Sequence, residues 1–271
     1  MYQFSDDLSY QQFFRFDKKW IENMNWAMLP KASKAVFPII AAYCNAAGDA
    51  FPSETTIAIL SGIREKAVRA GINGLVGFPG FNLSYYVTRR GRRAKKFRME
   101  FPPNAKGRSF FFHKCIIEGG NWPLLKSVSQ AIYPVMRFYA YFDFDIYSEA
   151  EEVDVLDDLE TIFGNRGWDI CEADIGLLQK YAAISRPSVY EAFTDLQEKF
   201  LIEPLNLGDA VRRWKVFISP PKRFKPEYLN KTIVSRFIQE DDCTNSTGDS
   251  VKKQPQNVKK RLKFVKKAPT K

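Results

Sequence analysis

One segment of this chain occurs twice, with corresponding residues 96 positions apart. The first copy contains Phe14, Phe16, Asn25, Trp26, Leu29, Ser33, Ala35, Val36, Phe37, Pro38, Ile39 and Tyr43. The second copy contains Phe110, Phe112, Asn121, Trp122, Leu125, Ser129, Ala131, Ile132, Tyr133, Pro134, Val135 and Tyr139. Two copies are too few for a solenoid, so the repeat predicts two related domains.

A pattern typical of two short helices follows the first copy, over residues 53–76. Ser53 is a favourable N-cap, and Gly62 is predicted to form a turn because glycine adopts positive φ without strain. Apolar residues recur at the spacing of amphipathic helices on both sides of this turn, at Ile57, Leu60, Val68, Ile72 and Leu75. Two helices joined by a glycine turn predict a helix-turn-helix, a motif of nucleic-acid-binding proteins.

A second helix pair is predicted over residues 171–199, where the offset between the copies has grown to 121. At this offset Ile63, Val68 and Leu75 correspond to Ile184, Val189 and Leu196. The growth implies a net insertion of 25 residues, and residues 143–160 within it carry nine acidic side chains and no basic one. Ser185 is the predicted N-cap of the last helix, with Pro187 in its first turn.

A strongly basic hairpin is predicted directly after the first helix pair. Its strands are residues 81–90 and 94–101, with the tip at Gly91. A hairpin in this position is the wing of a winged helix. A second hairpin, over residues 201–207 and 211–218, follows the second helix pair, and its basic residues are Arg212, Arg213 and Lys215.

The net charge of +10 is concentrated in two segments. Residues 85–100 carry seven basic side chains against Glu100, and residues 241–271 carry nine against three acidic ones. Each segment therefore contributes +6, and the rest of the chain sums to about −2. Positive charge collected in one hairpin and one tail is typical of surfaces that contact phosphates.

A long helix is predicted ahead of each helix pair, over residues 33–47 in the first copy. Pro38 lies within this helix, although proline removes a backbone donor; the alternative is that it marks the first turn, with a separate short helix ahead. The second copy starts at Phe110 and contains the corresponding helix through Ala140. Residues 13–20 are predicted to form a short strand or an extended lead-in.

These patterns predict a mainly α protein with small β-hairpins, an α+β fold of two tandem winged-helix domains. The first domain is placed at residues 1–105 and the second at residues 106–222, with an acidic insertion at residues 143–168. Residues 223–271 form a polar, basic tail that is predicted to be largely disordered.

Three groups of side chains are candidates for contact with DNA. The first recognition helix offers Arg64, Glu65, Lys66, Arg69 and Asn73, for which an ordinary solvated helix face is the alternative. The hairpin offers Arg89, Arg90, Arg92, Arg93, Lys95 and Lys96. The second recognition helix offers Ser185, Arg186, Ser188, Tyr190 and Thr194. Because this last set is less charged, contact with a protein is its alternative.

The sequence contains no pattern for catalysis, cofactor binding or a metal site. Ser-His-Asp, P-loop and GxGxxG arrangements are missing, and the four cysteines include no CxxC pair. We therefore expect a protein that is not an enzyme and that uses no cofactor and no metal. His113 is assigned to a strand, and Trp26 and Trp122 to the core. Without a signal segment or a run of 18 apolar residues, we expect a cytoplasmic protein associated with a bacterial nucleoid.

Residues 51–75, FPSETTIAILSGIREKAVRAGINGL, resemble the helix-turn-helix of replication initiators and related regulators carried by plasmids and phages. The second half resembles this group only through residues 184–202, ISRPSVYEAFTDLQEKFLI. The resemblance implies tandem winged helices that grip successive stretches of double-stranded DNA at a replication origin. The acidic insertion and the unequal hairpins depart from a symmetric pair.

Three roles follow from this resemblance and from the charge pattern. Replication initiation on a plasmid or another mobile element is ranked first, and a transcription regulator is second. The third is a protein-interaction adaptor such as a helicase loader, with the acidic segment as its docking surface. The expected partners are double-stranded DNA and a replicative helicase or another protein that binds the acidic segment. No membrane partner is expected, and a homodimer is left open.

Overall fold

The structure is a computed structural model. It describes residues 13–102, 108–141, 168–206 and 211–218, all of which belong to one compact unit, Met1–Val234. This part of the chain consists of helices and small antiparallel sheets, an α+β fold. The predicted domain boundary near residue 105, the acidic residues 143–160 and the predicted disordered tail lie outside the described residues.

The first half of the structure comprises residues 13–102. Its helices are α1 (Lys18–Glu22), α2 (Asn25–Met28), α3 (Lys31–Ala42), α4 (Glu54–Ser61) and α5 (Glu65–Gly74). Its strands are β1 (Phe13–Asp17), β2 (Asp49–Ala50), β3 (Phe81–Val87) and β4 (Arg93–Met99). An antiparallel sheet places β4 between β2 and β3, so the basic hairpin β3–β4 lies beside the entry to α4.

The second half comprises residues 108–218. Its helices are α6 (Cys115–Glu118), α7 (Ser127–Phe138), α8 (Ile175–Ala182) and α9 (Arg186–Glu198), with a 3₁₀ turn at Trp122–Leu124. Its strands are β5 (Ser109–His113), β6 (Ala140–Tyr141), β7 (Trp168–Cys171), β8 (Ile202–Leu205) and β9 (Arg213–Phe217). The last four form an antiparallel sheet in the order β6-β7-β9-β8.

The two halves repeat each other in three dimensions. An offset of 96 relates both ends of α3 to both ends of α7, and an offset of 121 does the same for α4 and α8. In the last strands the offset falls to 117, since Ala50 pairs with Phe97 and Cys171 pairs with Trp214. The hairpin of the second half is therefore four residues shorter than that of the first.

Strand β1 of the first half pairs with β5 of the second, and the pairing is symmetric. Arg15 lies opposite its own counterpart, Phe111, and the flanking pairs join Phe14 to Phe112 and Phe16 to Phe110. Exchanging the halves converts one flanking pair into the other, which is the property of an isologous two-fold contact. The two copies of the repeat are therefore related by an approximate two-fold axis through this ribbon.

Two tryptophans join the halves on the same axis. The indole Nε1 of Trp26 donates to the carbonyl oxygen of Ala131 at 2.9 Å, and that of Trp122 donates to the carbonyl oxygen of Ala35 at 3.0 Å. Both rings are fully buried, as predicted for core residues. Because a buried N–H without an acceptor is costly, this reciprocal pair fixes how α3 packs against α7.

The helix pairs begin and turn where the sequence predicts. Ser53 accepts from the backbone N–H of Thr56 at 3.0 Å and caps α4, while Ser185 caps α9 with Pro187 in its first turn. Gly62 ends α4 with φ 72°, and its counterpart Ala183 ends α8 with φ 52°. The apolar stripe predicted for α4 and α5 is buried throughout.

The long helix of the first copy ends five residues earlier than predicted, at Ala42 instead of Ala47. Asn45 causes the difference, because its side-chain oxygen accepts from the backbone N–H groups of Ala47 and Asp49 at 2.9 and 3.0 Å. Such a turn competes with helix for the same backbone donors. Gly48, at φ 79°, then leads the chain into β2.

The prolines lie in helix interiors rather than in first turns. Pro38 is inside α3 and Pro134 is inside α7, both buried, so each helix lacks one internal hydrogen bond at the same place. A separate short helical segment precedes each long helix, as the alternative interpretation of Pro38 expected. At the N-terminal side, Asp17 caps α1, which ends the predicted 13–20 strand at that residue.

Candidate nucleic-acid interface

Helix α5 presents one apolar and one polar face. Val68 and Ile72 are buried against α3, where Ser33 donates its hydroxyl to the carbonyl oxygen of Gly71 at 2.8 Å. A Cβ at Gly71 would lie 2.7 Å from the carbonyl oxygen of Ala32, so glycine permits this close approach of the helices. The five residues predicted as DNA contacts on α5 and its N-cap are all exposed: Arg64, Glu65, Lys66, Arg69 and Asn73.

The basic hairpin brings the second predicted group to the same half of the molecule. Its tip is shaped by Gly91, at φ 72°, and by Thr88, whose hydroxyl accepts from the backbone N–H of Arg92 at 3.1 Å. Four arginines of the tip are exposed: Arg89, Arg90, Arg92 and Arg93. The guanidinium of Arg93 lies 4.0 Å from the centre of the Tyr85 ring, which holds that side chain along the hairpin.

Glu54, the first residue of α4, joins the two groups. Its Oε2 lies 2.6 Å from Nε of Arg69 on α5, and its Oε1 lies 2.6 Å from Nζ of Lys95 on β4. Partial burial acts to raise the pKa of Glu54, but the hydrogen bonds from Lys95 and Arg69 outweigh it and hold the pKa below its ordinary value. The carboxylate is therefore ionised at neutral pH and bridges the helix to the hairpin.

A second acidic residue neutralises the neighbouring lysine. Oδ2 of Asp49 on β2 lies 2.7 Å from Nζ of Lys96, which also sits 5.7 Å above the ring of Phe51. Lys95 and Lys96 are consequently half-buried and ion-paired. Among the residues that the structure describes, no carboxylate lies within 4.0 Å of the cationic groups of Arg64, Lys66, Arg89, Arg90 and Arg92.

The third predicted group, on α9, is placed differently from the first. The Ser185 and Ser188 hydroxyls lie 2.9 Å apart and serve the cap, and Thr194 donates its hydroxyl to the carbonyl oxygen of Tyr190 at 3.0 Å. Ser188 is half-buried, whereas Arg186 and Tyr190 are exposed. Most of these hydroxyls therefore bond within the helix.

The charges of the two recognition-helix candidates have opposite signs. Helix α5 carries Lys66 and Arg69 against Glu65, with Arg64 at its N-cap. Helix α9 carries one basic residue against three acidic ones, namely Arg186 against Glu191, Asp195 and Glu198. In the second hairpin Arg213 is paired with Glu172 at 2.6 Å. A continuous group of exposed cations is therefore found in the first half, and α9 is net acidic.

Sequence reasoning missed the acidic residues that organise this surface. Glu54 and Asp49 gave no signal, because a carboxylate in the first turn of a helix is common and stabilises the helix dipole. Their partners come from residues 15 to 47 positions away, so neither periodicity nor a short motif could find them. Thr55, which donates to Glu65 at 2.7 Å, belongs to the same network and was missed for the same reason.

The described residues contain no group of three or more His, Cys, Asp or Glu side chains that could hold a metal ion. His113 lies on β5, and burial together with the charge of Arg137 lowers its pKa to about 3, so it is neutral at physiological pH. None of the described helices is long and apolar enough to cross a membrane.

Comparisons with family models, with curated proteins and with solved structures gave no match. Inference about function therefore depends on the geometry and charge of this chain.

Proposed function

We propose that this protein binds double-stranded DNA through its first half, which acts as a winged helix. Helix α5 enters the major groove, where Arg and Asn side chains suit the edges of guanine and adenine. The hairpin β3–β4 lies along the adjacent backbone as the wing, and its tip arginines contact phosphates. One observation carries the proposal: exposed, unpaired cations on α5 and on the hairpin tip flank a carboxylate that fixes the two elements together.

The second half is proposed to have a subordinate role at the same DNA. Its approximate two-fold relation to the first half suits a neighbouring stretch of the duplex, as the repeat implies. Its acidic α9 favours contact with a protein partner over contact with phosphates. The basic residues of 241–271 add attraction that does not depend on sequence.

Replication initiation on a plasmid or another mobile element remains the first candidate for the biological role. It is supported by the resemblance of residues 51–75 to initiators and by the duplicated architecture. Transcription regulation uses the same elements and is the second candidate. An adaptor such as a helicase loader is the third, because the acidic residues 143–160 offer a docking segment. A nucleoid-associated location follows from the first two roles.

The test of DNA binding is a titration of duplex DNA with the full chain and with a variant in which Arg89, Arg90, Arg92 and Arg93 are alanine. We expect the variant to lose about tenfold or more in affinity at moderate salt, because each lost phosphate contact also reduces the salt slope by about 0.9. Arg212→Ala, in the hairpin of the second half, is the control and should change affinity little. Unchanged binding by the quadruple variant contradicts the wing assignment.

The biological role can be tested by sequencing the DNA that is recovered with the protein from cells. Iterated sites at an origin, with a helicase recovered alongside, support initiation. Promoter sites without helicase support transcription regulation. An adaptor keeps its protein partner when the four tip arginines are alanine, whereas the two DNA-dependent roles do not.

A further inference from the structure

Glu54 holds two cations that come from different structural elements. Arg69 lies on α5 and Lys95 lies on β4, and each contacts its own oxygen of the Glu54 carboxylate at 2.6 Å. About a quarter of the Glu54 side chain is exposed, against 60% for Arg69. Both ion pairs thus lie at the edge of the proposed DNA surface, where solvent and phosphate oxygens reach the cations.

The second half shows that the fold does not need this carboxylate. At the offsets that relate the halves, Ile175 occupies the position of Glu54, Tyr190 that of Arg69 and Arg212 that of Lys95. The same helix pair and hairpin form there without the bridge. The carboxylate therefore accompanies the cationic surface rather than the architecture.

We propose that Glu54 is a positioning residue that sets DNA specificity, an inference that rests on the proposed function. Its carboxylate competes with phosphates for Arg69 and Lys95, which lowers affinity for duplexes of any sequence. The bond to Nε also fixes the plane of the Arg69 guanidinium, whose remaining N–H groups then face outward to a base edge. Glu54 thus exchanges non-specific attraction for a single orientation of one base-reading side chain.

The test compares binding of a random-sequence duplex with binding of the duplex that the protein itself enriches most from a random library, across a range of salt concentrations. For Glu54→Gln we expect affinity for the random duplex to rise about fivefold, the scale of one exposed ion pair. The slope of log affinity against log salt should steepen by about 0.9 for each cation released. The ratio of enriched-duplex to random-duplex affinity should fall by about fivefold or more.

Asp49→Asn is the matched control, because it releases Lys96 on the same hairpin but touches no residue of α5. It should steepen the salt slope by about one contact and leave the affinity ratio unchanged. Glu54→Asp keeps the charge but is too short to span both cations. It should keep the wild-type affinity for the random duplex while lowering the ratio, and it provides the test if Glu54→Gln does not fold.

The outcomes separate this inference from the proposed function. Wild-type protein that binds no duplex overturns DNA binding itself. Wild-type protein that binds every duplex equally leaves DNA binding standing and overturns the role of Glu54. Folded Glu54 variants with the wild-type salt slope and the wild-type affinity ratio also overturn it, because a purely structural carboxylate moves neither quantity.

Discussion

Lys34 and Gln130 occupy equivalent positions in the two halves, and each reaches across to the opposite half. Lys34 Nζ donates to the carbonyl oxygen of Ala182 at 2.8 Å, and Gln130 Nε2 donates to that of Ser61 at 3.0 Å. These carbonyls belong to the last residues of α8 and α4, where helix carbonyls lack partners within the helix. Each half therefore caps the first helix of the other half's helix pair.

The charge of Lys34 predicts a specific pH dependence of stability. Burial, and then the charge of Lys31, lowers the pKa of Lys34 from 10.5 to about 8. Between these values the unfolded state binds more protons, so the free energy of unfolding rises with pH across this window and is unaffected by this group below it. A shift of this size corresponds to roughly 3 kcal/mol over the whole window.

Lys34→Gln places the residue of the second half at this position and removes the titrating group. We expect the difference in unfolding free energy between wild type and variant to change in favour of wild type from pH 8 to 10.5. Urea unfolding at several pH values measures this difference. The comparison cancels the buried tyrosines and cysteines, whose raised pKa values act in the opposite direction. Parallel curves for the two proteins would contradict the prediction.

The reciprocal tryptophan bonds predict two similar losses of stability. Trp26→Phe and Trp122→Phe each leave a buried carbonyl oxygen, of Ala131 and Ala35, without its donor. We expect each variant to lose about 2–4 kcal/mol of unfolding free energy, from the unsatisfied carbonyl and the smaller ring. Denaturant unfolding measures both, and Met28→Ala, at a side chain that is 82% exposed, should change stability little. A large loss at only one tryptophan would contradict the symmetric arrangement.

Local signals explain which parts of the fold the sequence predicts. Ser53, Gly62 and the apolar spacing of α5 act within a few residues, and the structure confirms each of them. The alternation of Phe14 and Phe16 predicts a strand but not its partner, because β1 pairs with a strand almost 100 residues away. The interlocking of the halves is equally non-local, so two independent domains were the natural expectation.

The same limit applies to the candidate site. The exposed arginines of the hairpin tip are evident from charge density, whereas the ion pairs of Lys95 and Lys96 are not. Those pairs depend on the sheet order, which places β4 between β2 and β3. Sequence analysis therefore finds the cations and overestimates how many are available to phosphates.

The two turns between paired helices predict opposite effects of exchanging glycine and alanine. Ala183 adopts φ 52°, a conformation that favours glycine, so Ala183→Gly should stabilise the protein by about 0.5 kcal/mol after the entropy of the unfolded chain is included. Gly62→Ala should cost about 3 kcal/mol, because φ is 72° and the new Cβ would lie 2.2 Å from the carbonyl oxygen of Pro123. Thermal unfolding compares them; a stabilising Gly62→Ala would refute the interlocked packing.

Asp195 supports the N-terminus of α7 in a way that the first half does not require. Its Oδ2 accepts from the backbone N–H of Lys126 at 2.9 Å and from the hydroxyl of Ser129 at 2.5 Å, and the side chain is buried. The counterpart of Lys126 is Pro30, which has no N–H, and the counterpart of Asp195 is Gly74. In the first half a Cβ at position 74 would lie 2.4 Å from the Ser33 hydroxyl, so an acceptor is neither needed nor accommodated.

This difference predicts a non-additive double mutant. Asp195→Ala alone should cost about 2 kcal/mol, since it leaves the Lys126 N–H and the Ser129 hydroxyl without an acceptor. Lys126→Pro suits the backbone, where φ is −60° and the preceding residue is extended, and it removes the donor. In the Lys126→Pro background, Asp195→Ala should therefore cost about 1 kcal/mol less. Denaturant unfolding of the four proteins measures the coupling, and strictly additive losses would show that Asp195 does not act through that N–H.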